Sequence, residues 1–163
     1  MGIGRRSSPL AGMLAVALLS GTPVLAQEDR SIEVAATEVA SELATCAAYF
    51  LVVAHGASLS PGGSDLSQNY EDLALSALEN ANLFAELGGM LPAAVEAQAQ
   101  QSMRGMYAQI ENNFANLSIV TNEYSEFCID LIGSPETKFS EYLLSSIPDE
   151  HDRDRLREAL DAE

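Results

Sequence analysis

The sequence predicts an all-α protein: a small helical bundle of three main helices plus a C-terminal helical hairpin or tail, held by one intramolecular disulfide. Apolar residues recur at steps of three and four nearly throughout, and no run alternates apolar with polar residues as a half-buried strand would. Apart from Gly105, Gly and Pro beyond residue 30 fall between the periodic stretches rather than inside them. The two cysteines, Cys46 and Cys128, lie on the apolar stripes of different predicted helices.

Before the bundle comes a segment of another kind. Arg5 and Arg6 precede a short apolar run, Leu10 to Leu19, which Gly21 and Pro23 interrupt; this is the order of a secretory signal. The run is shorter than the roughly 18 to 20 residues that span a bilayer. Val24-Leu25-Ala26 fits a signal-peptidase site, so cleavage is expected after Ala26, with Sec-type export to the periplasm or the medium. Gln27, not Cys, follows the cut, so a lipid anchor is not expected. Residues 1–26 then form the signal, 27–148 the bundle and 149–163 a charged helical tail.

In the first helix Ile32, Ala36, Val39, Leu43, Cys46, Phe50 and Val53 fall on one face, and Gly56 stops it. The segment Leu43 to Ala54 has no charged residue, but it is too short to cross a membrane. No transmembrane span is expected in the exported chain. Ser58 to Ser64, SLSPGGS, reads as a loop. A second helix opens at Ser64 or Asp65, where Asp65 and Gln68 stand in capping-box relation, and Leu66, Tyr70, Leu73, Ala77, Phe84 and Leu87 mark its expected inner face.

Gly88-Gly89 ends that helix and Pro92 suits the first turn of a third. The third runs from Pro92 to Ile132 without a proline, about 60 Å if straight. That is too long for its neighbours, so a break is expected near Gly105 or at Glu111-Asn112-Asn113. A short helix follows around Thr137 to Ser146. Beyond Pro148 the tail offers only Leu156, Ala159 and Leu160 for burial, and opposite charges at helical spacing suggest the pairs Asp149–Arg153 and Arg157–Asp161.

An exported chain with two distant cysteines is expected to join them, which ties the first helix to the third. Neither a C-x-x-C redox site nor a C-x-x-C-H haem site is present, because Ala47, Ala48 and Tyr49 follow Cys46. The net charge is −16, and loss of Arg5 and Arg6 takes it to −18. No Lys or Arg occurs from Ser31 to Met103. Such a field repels phosphate backbones and anionic lipid, so nucleic-acid binding is not expected.

No catalytic, cofactor or metal constellation is legible. His55 has no second ligand at metal spacing, His151 sits in a run of charges, and neither histidine follows a Glu-x-x-His pattern. Glu123, Glu126 and Asp130 share one side of a helix, but away from its apolar stripe, which makes them a solvated face before a divalent-cation patch. The aromatics Tyr49, Phe50, Tyr70, Phe84, Tyr107, Phe114 and Tyr124 fit core packing better than a ligand pocket. Tyr49 flanks the stripe; with His55 it is the candidate interface or pocket residue. Asn116-Leu117-Ser118 matches a glycosylation acceptor, with Leu117 on the inner stripe.

Thr45-Cys46-Ala47-Ala48-Tyr49-Phe50 resembles a segment found near the mature N-terminus of small, helical, exported bacterial proteins without an assigned activity. The resemblance implies a bacterial envelope protein and a structural role for Cys46, and brings no catalytic residue. The expected function is a non-enzymatic interaction module with an unknown protein partner. A binder of a small apolar ligand or divalent cation is the alternative, and an enzyme with a site assembled in space the third.

Overall fold

The structure, a computed structural model, describes residues 23–160, with side chains from Asp29 onward. The predicted signal up to residue 22 and the last three residues, Asp161 included, lie outside the described residues. The chain forms helices α1 (Pro23–Ser58), α2 (Ser64–Leu87), α3 (Pro92–Gln109), α4 (Ser118–Gly133), α5 (Pro135–Ser146) and α6 (Glu150–Leu160), with a single 3-10 turn at Phe114–Asn116. No strand occurs among the described residues.

Helix α1 is the axis of the bundle. It packs against α2, α3, α4 and α5, and from Leu43 to Ala54 nearly every residue is buried. A helix that is apolar on all sides needs neighbours on all sides, and a single face, as the stripe from Ile32 to Val53 predicts, understates this. Asp29–Ser58 is long and apolar enough to cross a membrane by length and composition, further than Leu43 to Ala54 alone reaches, because alanines extend the apolar stretch toward Ala35. Within the fold, 72% of its most apolar window is buried against the other helices.

The α1–α2 contact is made of small side chains. The buried positions of α2 are Ser67, Ala74, Ala77, Ala81 and Ala85. Leu66 and Leu87, expected on the inner face, are 52% and 49% exposed, while Tyr70, Leu73 and Phe84 are half-buried at the margins. Alanines let the two backbones approach closely, so the larger residues are displaced to the flanks. Gly88 completes the contact: a Cβ there would stand 2.6 Å from Thr37 Oγ1 and 2.9 Å from the Thr37 nitrogen. The expected capping box is not formed; Gly63 is the N-cap of α2, and Ser64 Oγ donates instead to Asp65 Oδ1 at 3.3 Å.

The long third segment is two helices. The break falls at Ile110–Asn113, the second of the two expected places, while Gly105 lies inside α3. Glu111 and Asn112 both take φ of 54°, which reverses the chain, and fully buried Ile110 pins the turn to the core. Asn113 Oδ1 accepts from the Ala115 amide at 3.1 Å, and Asn116 Nδ2 donates to the Ile110 carbonyl at 3.3 Å. The chain folds back here because two side-chain amides, those of Asn113 and Asn116, supply hydrogen bonds in place of ones a helix would have made. Asn116, the residue of the acceptor pattern, is thus half-buried and used structurally.

At the C-terminus α6 has no buried residue. Asp149 does not pair with Arg153; its Oδ1 accepts from the amides of His151 (2.9 Å) and Asp152 (3.2 Å) and so caps the helix. Among the described residues of α6 the ion pairs are Arg157 with Asp154 at 3.0 Å and Arg155 with Asp152 at 4.0 Å; the expected Arg157–Asp161 pair lies partly outside them. Capping satisfies amides that have no intrahelical partner, and an exposed pair contributes too little to compete for that carboxylate.

Candidate functional site

Cys46 of α1 and Cys128 of α4 are bonded, with Cα atoms 5.2 Å apart and neither residue exposed. The bond spans 82 residues of sequence and lies inside the core. Its position is structural, since a sulfur without solvent access cannot be reached by a thiol in solution.

Tyr49 is 1% exposed and belongs wholly to the core. Its ring lies 5.0 Å from that of Phe50 and 6.1 Å from that of Tyr124, centroid to centroid. Burial pushes its hydroxyl above the ordinary tyrosine range and Tyr70 adds to this, while hydrogen bonding to Thr121 and Ser125 of α4 works the other way. Tyr49 therefore joins α1 to α4 one turn from the disulfide, and it faces neither solvent nor a pocket.

His55 is exposed at the end of α1. Its Nδ1 is hydrogen bonded to the Tyr107 hydroxyl of α3 at 2.9 Å, and its ring stands edge-on to Phe114, 4.8 Å between centroids. The two predicted residues are thus six positions apart in sequence but occupy different environments. Phe50 and Tyr70 stack at 6.1 Å, and Phe84 meets Phe139 of α5 at 5.7 Å. The aromatics thus pack edge and face against one another.

A polar pair that the sequence analysis does not anticipate links α1 to α5. The Tyr142 hydroxyl donates to Glu42 Oε1, and Glu42 Oε2 is buried with no partner. Burial foremost, then the hydrogen bond to Glu42 and its charge, raises the Tyr142 pKa. Lys138 sits 5.4 Å from the centre of the Tyr142 ring and pairs with Glu141 at 2.8 Å.

Glu123, Glu126 and Asp130 are all exposed, and Glu123 accepts a hydrogen bond from Gln109 at 3.2 Å. Among the described residues no three His, Cys, Asp or Glu side chains are grouped to hold a metal ion. His151 is exposed on α6.

The remaining feature is the outer flank of α2. Leu75, Leu83 and Leu87 are 59%, 65% and 49% exposed, and Leu91, just past the turn, is 74% exposed. Glu79 and Glu86 stand between them and Asp72 precedes Leu75, all three exposed. At the N-terminal end the α1–α2 loop curls over the flank and forms an open, shallow depression lined by Ser58, Ser60, Ser67, Glu71, Asp72 and Leu75 among others.

No family model, curated protein or solved structure matches this chain. What the chain does is therefore read from its surface and its interior alone. The interior is committed to packing; among the exposed large apolar side chains, which also include Val34, Leu59, Ile119, Phe127 and Ile129, the leucines along α2 form a row on one side of a helix.

Proposed function

We propose that the protein is an exported, non-enzymatic interaction module of the bacterial envelope, which contacts a protein partner through the outer flank of α2. The signal-like N-terminus and a disulfide that fits an oxidising compartment support export. One observation carries the assignment of the surface. Leucines half or more exposed recur along a helix whose opposite side is alanine, so the sequence places its large apolar groups toward solvent and its small ones inside. Scattered exposed apolar residues are ordinary, and α4 too exposes Ile119, Phe127 and Ile129. Phe127 and Ile129, however, fall on opposite sides of α4, whereas Leu75, Leu83 and Leu87 share one side of α2.

The test is affinity capture from the native envelope with the full exported chain, comparing the parent with Leu83→Ser/Leu87→Ser. Both positions are exposed, so folding is expected to survive. A partner that is enriched by the parent and lost at least tenfold with the variant supports the reading. Equal recovery by both proteins removes α2 from it.

A further inference from the structure

The same flank indicates the chemistry of its partner, an inference that rests on the reading above. Helix α2 contains Asp65, Glu71, Asp72, Glu79 and Glu86 and no Lys or Arg, and the absence of cations extends from Ser31 to Met103. We propose that this flank docks a cationic amphipathic helix of about four turns.

From Asp72 to Leu87 the flank runs about 22 Å at 1.5 Å per residue, which a partner helix of about 15 residues matches. At one end the open depression beside the α1–α2 loop sets Glu71, which accepts from Ser67 Oγ at 3.2 Å, next to Asp72, two carboxylates that attract an ammonium or guanidinium head. Farther along, Leu75, Leu83 and Leu87 offer the apolar contact, with Glu79 set between them. Exposed charge pairs contribute little each, so binding strength comes from the leucines, while the carboxylates steer the encounter and select the sign of the partner. A second copy of this chain would set carboxylate against carboxylate on the same flank. Anionic lipid and nucleic acid meet the same repulsion. Helix-on-helix recognition through spaced apolar anchors remains.

Titration calorimetry of the full exported protein tests this with three synthetic helical peptides of about 18 residues, patterned Lys/Leu, Lys/Ser and Glu/Leu. The Lys/Leu peptide is expected to bind one to one, and the other two at least tenfold more weakly. Leu83→Ser/Leu87→Ser and Glu71→Gln/Asp72→Asn should each weaken the Lys/Leu complex about tenfold. Glu123→Gln/Glu126→Gln on α4, which removes equal charge elsewhere, should leave it unchanged. All six positions are exposed, and circular dichroism checks that each variant is folded.

Equal binding of Lys/Ser and Lys/Leu, or an equal loss in the α4 variant, would reduce the effect to bulk charge and overturn the proposal. Absence of binding, or a dimer of the protein alone that Leu83→Ser/Leu87→Ser dissolves, would overturn it as well. If the peptides fail while envelope capture still depends on Leu83 and Leu87, the partner class is wrong and the interaction module stands. If capture too is indifferent to these leucines, the reading of α2 fails with it.

Discussion

Cys46 and Cys128 face each other across the centre of the bundle, one on the axial helix α1 and one on α4, both without solvent exposure. The bond closes the chain around α2, α3 and the reversal at Glu111-Asn112, so it limits the unfolded state more than it shapes the folded one. Chain-entropy reasoning over 82 residues assigns it roughly 4 kcal/mol. Cys46→Ala/Cys128→Ala is expected to lose about that much in urea unfolding. Mass spectrometry of the exported protein without reductant should find both thiols oxidised within one chain; free thiols or a linked dimer would contradict the pairing.

Gly88, which ends α2 against Thr37 of α1, and Gly56, near the C-terminal end of α1, are expected to differ in their response to a methyl group. At Gly88 an added Cβ meets backbone: the Thr37 nitrogen at 2.9 Å and the Glu33 carbonyl oxygen at 3.1 Å. At Gly56 it meets the ends of side chains, Leu117 Cδ2 and Phe114 Cδ1, each at 2.9 Å. Backbone cannot step aside, whereas those side chains can, and alanine also favours the helix that contains Gly56. Gly88→Ala should therefore cost about 1 to 3 kcal/mol, the usual range for overpacking, and Gly56→Ala about 1 kcal/mol or less. Thermal melts of the two variants decide the order.

Tyr142 makes stability depend on alkaline pH. Its pKa is raised in the fold by burial and by Glu42, so the neutral phenol is the form the folded state holds. The contribution is complete below the ordinary tyrosine value of about 10 and is lost as pH rises above it toward the folded value. Tyr49, Tyr107 and Tyr124 are shifted upward as well, each chiefly by burial, and act in the same direction. Urea midpoints should fall above pH 10, and less steeply in Tyr142→Phe. At pH 7 that variant is expected to lose about 1 to 3 kcal/mol, because Glu42 would then have both oxygens without a protein partner.

Removal of the tail after Pro148 should change little. Helix α6 has no buried residue and packs only lightly on α5. A loss below about 1 kcal/mol is expected, and failure of the shortened chain to fold would show that the tail docks.

The helices, their breaks and the disulfide are legible in the sequence because each has a local signal: periodic apolar residues, Gly or Pro at the ends, and two cysteines on stripes. The inner face of α2 is misread for a physical reason. Leu66 and Leu87 would gain more from burial than any alanine, but Ala74, Ala81 and Ala85 allow the closest approach to α1, and close packing prevails. The complete burial of Tyr49, which flanks the stripe, is not legible because a single stripe cannot describe a helix surrounded on all sides. The Glu42–Tyr142 bond joins residues 100 apart and has no local signature beyond a carboxylate bordering an uncharged stretch. Of the candidate surface, the missing cations are visible in the sequence. The exposed leucines are only partly so, because the sequence pattern assigns Leu66, Leu73 and Leu87 to the core and two of these, Leu66 and Leu87, are exposed.

The most direct test of α2 as the working surface is photo-crosslinking in intact cells that export the protein. A photo-reactive amino acid is placed at position 83 on α2 or, for comparison, at position 126 on α4. The account predicts a discrete adduct from position 83 that disappears when Glu71→Gln/Asp72→Asn is added, and none from position 126. No adduct from position 83, or the same adducts from both positions, would contradict it.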